Sequence, residues 1–367
     1  MVFEEVALSF VPNLGSRGAM HLIECFGSAR AIYEASEQQL IEQAELRADI
    51  ARAIAHRGGF AEAEREIAYC ERHGIAIVAA TDEGYSEKLR FIADRPHILY
   101  IKGNVEALSA ERVVSVVGTR RMTPYGELMC NRIIEAVAKY YPDTVIVSGL
   151  AYGIDAAAHR AALAAGLRTV GVVANALPSV TPAANRALAE DMVRNGGAIV
   201  SEVSSQTRQN GNLYIPRNRI VAGLCDGLLV VETPLSGGSI HTAHAADGYS
   251  REVMALPGRA SDIASQGTNA MIRNGLARLV TSGEELLEVL GWPTNQMPER
   301  IKVEERTLNS AEEQILALLG TASDGVALDT IIERSGLGAG VVSATLLDLE
   351  LSGLVRSLPG KIYEKLN

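Results

Sequence analysis

Ser148, Asp155 and His159 lie in one short stretch, "SGLAYGIDAAAHRAALAAG" (148–166), together with Gly149 and Gly153. A serine, an aspartate and a histidine invite a hydrolytic triad. Glycines at a strand-to-helix turn invite an anion cradle, because backbone N–H groups can approach a phosphate closely there. Against the triad, Val147 precedes the serine, so the sharp G-x-S-x-G elbow of a hydrolase is missing. Asp155 and His159 stand four apart on one helix face, a spacing that serves a metal only with a third ligand in register, and none is present. An aspartate in a first helical turn is already explained by the helix dipole. We therefore read Ser148 and Gly149 as donors to an anion, and assign no catalytic residue, no metal ligand and no cofactor.

Three further turns carry similar chemistry. In "VVSVVGTRR" the apolar run stops at Gly118, and Arg120 and Arg121 project from the turn; an arginine at a strand's carboxyl end needs an anion, from a carboxylate or a ligand. In "NLYIPRNRIVAGLC" the chain from Val203 to Cys225 has no acidic residue, and Arg208, Arg217 and Arg219 all fall within it. Arg217, Asn218 and Arg219 with Tyr214 beside them suit phosphate contact plus base stacking, with Arg219 as an internal ion pair the alternative. In "VVETPLSGGSIHTAHAADG", Ser236, Gly237, Gly238 and Ser239 form another small-residue turn able to cradle phosphate. His241, His244 and Asp247 read as ordinary helix residues, since no further ligand type lies near them in sequence.

These turns must be held by the ends of strands. From Gly74 onward, short β-branched runs ("IAIVAA", "VVSVVG", "TVIVSG", "RTVGVVA", "GAIVSE", "GLLVVE", "EVMALPG", "ARLVTS") alternate with helical segments. Continuously apolar strands separated by helices predict a parallel sheet covered on both faces, a doubly wound α/β domain over 71–291. In such a sheet ligands sit outside the strands' carboxyl ends, where all four turns fall. Residues 1–70 predict a small all-α domain. Its turn "VPNLGSRGAMHLI" is similar to a helix-hairpin-helix, whose Gly turn binds a phosphate, although only Gly15 and Gly18 support the motif against a plain helix–helix turn. Residues 292–309 lack periodicity and read as a linker. Over 310–367, three helices, the first opened by Ser310 with Glu313 in capping-box register, and a terminal hairpin predict a winged helix. Its third helix, within 340–353, has no Arg or Lys but has Asp348 and Glu350, which favours a protein-interaction or structural role over DNA reading.

Composition sets limits on function. The 367 residues carry 34 Lys and Arg against 44 Asp and Glu, 34 − 44 = −10, so any anion-binding surface must be a local patch on an acidic background. Four scattered cysteines without a C-x-x-C pair suggest neither a zinc site nor a disulfide framework. The acidic start "MVFEEVALSF" does not read as a secretory signal, and no apolar stretch reaches the roughly 20 residues that span a bilayer, so the expected location is cytoplasmic, with no membrane partner.

Taken in order, "VVGTRRMTPYG", "SGLAYGIDAAAH", "RNRIVAGLC", "LLVVE", "SGGSIHTA", "REVMALPG" and "SQGTNAMIRNGLARLV" resemble the pattern of the DNA-processing protein A family (DprA, also called Smf). The match covers roughly 74–281, and the flanking helical and winged-helix segments resemble the family's accessory domains. The resemblance implies an extended Rossmann-like domain that binds single-stranded DNA without catalysis, a homodimer built through that domain, and delivery of the strand to RecA in natural transformation and recombination. Carried over by motif, Arg120, Ser148, Gly149, Arg217, Asn218 and Arg219 are the DNA contacts, joined by Tyr214, Ser236, Gly237 and Ser239. An alternative of another class is a nucleotide-processing enzyme, since "TPLSGGSIHTA" looks distantly like the glycine turn of lysine-decarboxylase-like phosphoribohydrolases. That family wants a glutamate just after the turn, and here the next carboxylate is Asp247. A Rossmann dehydrogenase fails because no G-x-G-x-x-G follows the first strand.

Overall fold

The structure, a computed structural model, describes residues 2–207, 213–294, 308–320, 325–351, 354–358 and 360–365. It divides into two compact units, Met1–Gln296 and Met297–Asn367. Most of the expected linker at 292–309 lies outside the described residues, as does Arg208.

The first unit is built on a nine-stranded sheet: β1 (Ala76–Ala79), β2 (Ile98–Gly103), β3 (Val113–Val117), β4 (Val145–Ser148), β5 (Arg168–Val172), β6 (Ala198–Ser201), β7 (Gly227–Val230), β8 (Glu252–Ala255) and β9 (Arg278–Leu279). Their order is β1-β2-β6-β5-β4-β3-β7-β8-β9. From β3 the chain winds outward through β4, β5 and β6, then returns to the other side of β3 and continues through β7, β8 and β9. The direction of winding therefore reverses at β3 and β7, which pair in parallel. That reversal leaves a crevice at their carboxyl ends, where connections on the two sides leave toward opposite faces.

The apolar runs alternate faces as strands must. Val114, Val116, Ile146 and Leu229 pack in one core with Ile133, Ile134 and Leu286, from helices Pro124–Tyr140 and Gly283–Val289. Val113, Val117, Val145, Val147, Leu228 and Val230 pack in the opposite one with Ile220 and Ala243, from helices Tyr214–Gly223 and Ser239–Gly248. Burial on both faces explains the near absence of polar residues in these strands.

The sheet departs from the expected all-parallel pattern at one edge. "ILYIKG" forms β2, a strand the sequence reading did not single out, and it pairs antiparallel with both β1 and β6. The expected helical domain is also not a separate body. Its helices, from Val2–Ser9 to Phe60–His73, place Val6, Ala63 and Cys70 in one core with Ile98, Tyr100 and Leu188. Glu66 reinforces the joint by accepting from Ser205 N and Oγ, at 2.8 and 2.6 Å.

In the second unit, helices Ser310–Leu319, Leu328–Ser335 and Ala339–Leu351 enclose Ile315, Leu319, Ile331, Val342, Leu346 and Leu349. Strands β10 (Val326–Ala327), β11 (Val355–Leu358) and β12 (Ile362–Lys365) form the wing, ordered β10-β12-β11. The first helix is capped one residue earlier than expected. Asn309 and Glu312 make the reciprocal box, each bond 2.9 Å, because asparagine caps as well as serine and this register also turns Ile315 and Leu319 inward.

Candidate nucleic-acid interface

The crevice between β3 and β7 opens into a pocket of about 370 Å³. Four segments meet there: the turn after β3, the turn after β4, the helix Tyr214–Gly223, and the turn after β7. Two bonds set the first of these. Thr119 N donates to Glu232 O at 2.7 Å, and Ile154 N donates to Thr119 O at 3.2 Å. The approach is close enough that Gly153, at φ +73°, has no room for a Cβ, which would collide with Thr119 O and lie 2.8 Å from Arg120 Cα. Gly153 thus allows the β4 turn to press against the β3 turn, so that Arg120 is presented at the rim.

Arg120 is exposed, and its guanidinium carbon sits 5.2 Å from the centre of the Tyr214 ring. This stack fixes a long side chain that would otherwise lose rotamer entropy on binding. Arg217 lies beneath, 6% exposed, with Nη1 donating to Val172 O at 2.8 Å. Gly149 makes room for it: a Cβ there would overlap Arg217 Nη1 and lie 2.6 Å from Asp155 Oδ2. Burial pushes the Arg217 pKa down and Asp155 beside it opposes that shift; burial likewise raises Asp155, and Arg217 opposes it. Cation and carboxylate support each other in a place that would be costly for either alone. Two donors lining the pocket, Arg217 Nε and Ser239 Oγ, are buried with no hydrogen-bond partner among the described residues. Such groups cost about 1–3 kcal/mol each when left unmet, so a ligand rich in acceptors is favoured there.

The residues singled out from sequence divide accordingly. Arg120, Gly149, Tyr214, Arg217, Asn218, Gly237 and Ser239 all line the pocket. Ser148 does not: it is fully buried, and its hydroxyl donates to Val116 O at 2.6 Å. The expectation of a Ser148 donor is therefore corrected. As the last residue of β4 its side chain is buried, and its hydroxyl faces Val116 O and the Asp155 carboxylate instead of the open pocket. Ser236 is exposed on the β7 turn but outside the pocket lining. Arg219 is the internal ion pair that the alternative allowed, 2.6 Å from Glu202 and 3.8 Å from Asp94. The apparent triad is dispersed. His159 is buried, with Nδ1 donating to Thr169 Oγ1 at 2.7 Å, since that hydroxyl spends its own proton on Ile146 O. Burial, with Arg217 next in effect, pushes the His159 pKa down to about 3.

Three features in or beside the pocket escaped sequence reasoning. Asp155 is the counter-charge to Arg217 rather than only a dipole partner, and His241 lines the pocket from its helix. Glu232, buried just past β7, accepts from Thr123 N at 2.9 Å and from Thr123 Oγ1 at 2.5 Å. It staples the β7 end to the Arg120-bearing turn. A carboxylate closing the apolar run "LLVVE" was the available signal, because a strand's carboxyl end was already marked as the place to look.

The fold and crevice define an α/β protein of extended Rossmann-like type with a pocket at the topological switch point, carrying a winged helix. Residues 76–291 match the family described as DNA recombination-mediator protein A, and residues 302–361 match the DprA winged helix domain. The chain belongs to that family. It is 35% identical over 303 residues to Protein Smf of Escherichia coli K12, covering 81% of this chain and 79% of that one. The X-ray structure of DNA processing protein A from Streptococcus pneumoniae superposes with a TM-score of 0.69 at 30% identity, over 78% of this chain and 97% of that chain. The structure of DNA processing protein A from Helicobacter pylori, described for its single-stranded DNA binding mode, gives a TM-score of 0.53 at 27% identity, over 59% of this chain and 95% of that one. Among the described residues, no helix is long and apolar enough to cross a membrane.

Proposed function

We propose that this chain binds single-stranded DNA in the cytoplasm without catalysis, protects incoming strands during natural transformation and recombination, and passes them to RecA. In this reading it acts as a homodimer formed through the α/β domain. The observation that carries the proposal is the switch-point pocket, where Arg120, Arg217 and Asn218 converge with Tyr214 and where buried Arg217 Nε and Ser239 Oγ have no partner among the described residues. Cationic and amide donors fit phosphate oxygens, and the Tyr214 face fits an unpaired base. A stacked base must be swung out of a duplex first, which favours single strands. The single-strand binding described for the Helicobacter pylori relative supports the same ligand.

Arg120, Tyr214, Arg217, Asn218, Gly149, Gly237 and Ser239 are the proposed contacts, with Ser236 at the lip and Arg219 acting indirectly by neutralising Glu202 and Asp94. The acidic residue in the pocket lining is Asp155, and its neighbour Arg217 engages it, which favours binding over acid–base chemistry. The test is a titration of single- and double-stranded oligonucleotides of one sequence at rising salt. Single strands should bind more tightly, with log affinity falling by about 0.7 per neutralised phosphate for each decade of salt. Equal duplex affinity, or a flat salt response, would overturn the proposal.

A further inference from the structure

A second cavity, of about 670 Å³, adjoins the pocket. Ile215, Asn218 and His241 line both, so the two are parts of one continuous depression. The far wall belongs to the amino-terminal helices: Gly15, Ser16 and Arg17, at the start of the helix Gly15–Phe26, line it opposite Arg219 and Tyr249. This is the turn whose resemblance to a phosphate-binding hairpin rested on two glycines. The structure adds its position, at the mouth of the proposed nucleic-acid site, on a helix whose Ala19, Leu22 and Ile23 pack among the amino-terminal helices and whose Met20 also packs against the core under the sheet.

The charge layout favours a strand there. Asp94 and Glu202 would repel phosphate, but Arg219 pairs with both, and Tyr249 donates its hydroxyl to Asp94 at 2.6 Å. Arg219 Nη1 is buried with no hydrogen-bond partner among the described residues. Arg17 is exposed and makes no ion pair among the described residues. Ile215, which lines both cavities, has an exposed side chain, an apolar surface over which a base can lie. We infer that a single strand leaving the switch-point pocket crosses Ile215 and continues through this groove, with Arg17 holding a downstream phosphate. The amino-terminal helical layer is then part of the nucleic-acid interface. This rests on the pocket being the primary site, as proposed above.

Length dependence separates the two claims. Fluorescence anisotropy with labelled oligothymidylates of increasing length should show Arg120→Ala weakening binding at every length. Arg17→Ala should match the parent for the shortest strands that bind, then fall about tenfold behind once strands reach the groove, the loss expected for one charge-assisted contact. Its salt slope on long strands should drop by about 0.7, and Arg17→Lys should recover part of the affinity. If Arg17→Ala equals the parent at all lengths, or lags equally at all lengths, while Arg120→Ala is impaired throughout, the groove path is wrong and the pocket stands. If Arg120→Ala binds normally, the pocket reading fails and takes the path with it. Arg17 is an exposed residue, so both variants should keep the parent's unfolding midpoint.

Discussion

Residue type and residue role separate most sharply at Ser148 and His159. Both were visible as chemistry-bearing side chains, yet the fold uses each internally. Position along a strand can be read from sequence, but which way the last side chain of β4 turns depends on the pleat and on Val116 O lying in reach. Ser148→Ala should therefore leave DNA affinity within about twofold while lowering unfolding free energy by about 1 kcal/mol, measured by denaturant titration. A tenfold affinity loss with unchanged stability would return Ser148 to the interface. His159 makes a pH prediction. Its folded pKa of about 3 lies below the ordinary 6.5, so the unfolded chain binds the proton more readily. The stability it contributes is fully present above about pH 6.5 and is lost as pH falls toward 3. Burial pushes His97 the same way, to about 4, whereas Asp155 and Glu5, with raised values, act in the opposite sense. His159→Gln should accordingly show a shallower fall in unfolding midpoint between pH 7 and pH 5 than the parent. Parallel curves would contradict the assignment.

At the scale of elements, the site is a set of turns whose spacing depends on what joins them. Glu232 is the joint between the β7 end and the turn bearing Arg120, through its carboxylate on Thr123 and its carbonyl on Thr119. Glu232→Ala should weaken DNA binding although this side chain is absent from the pocket lining, and should cost about 2 kcal/mol of stability, with Glu232→Gln recovering part of both. Unchanged affinity in the alanine variant would show that the turn holds itself. The parallel strands β3 to β8 were legible because double burial writes itself as continuous apolar runs. β2 was not, since "ILYIKG" ends in lysine and glycine on an antiparallel edge where one strand's choice of neighbour is set by contacts far away in sequence. The shared core of the amino-terminal helices and the sheet was hidden for the same reason. An amphipathic helix records that it has a buried face, not what covers it.

For the whole molecule, a chain of net charge −10 is assigned an anionic polymer as its ligand. The proposal reconciles the two by distribution: Arg120 is exposed at the pocket rim, Arg217 is buried in its lining, and Arg219 pairs with Glu202 and Asp94. The winged helix carries no Lys or Arg in its helix Ala339–Leu351 and presents exposed Val341 and Leu347 there, so the proposal places affinity for single strands on the first unit. The central claim is thus that a few clustered cations at the switch point, and not overall charge, hold the strand. Applying the salt titration to Arg120→Ala beside the parent tests it most directly. The account predicts affinity lowered by about tenfold or more across sequences and a salt slope shallower by about 0.7, at unchanged unfolding midpoint. Parental affinity and slope in that variant would contradict it.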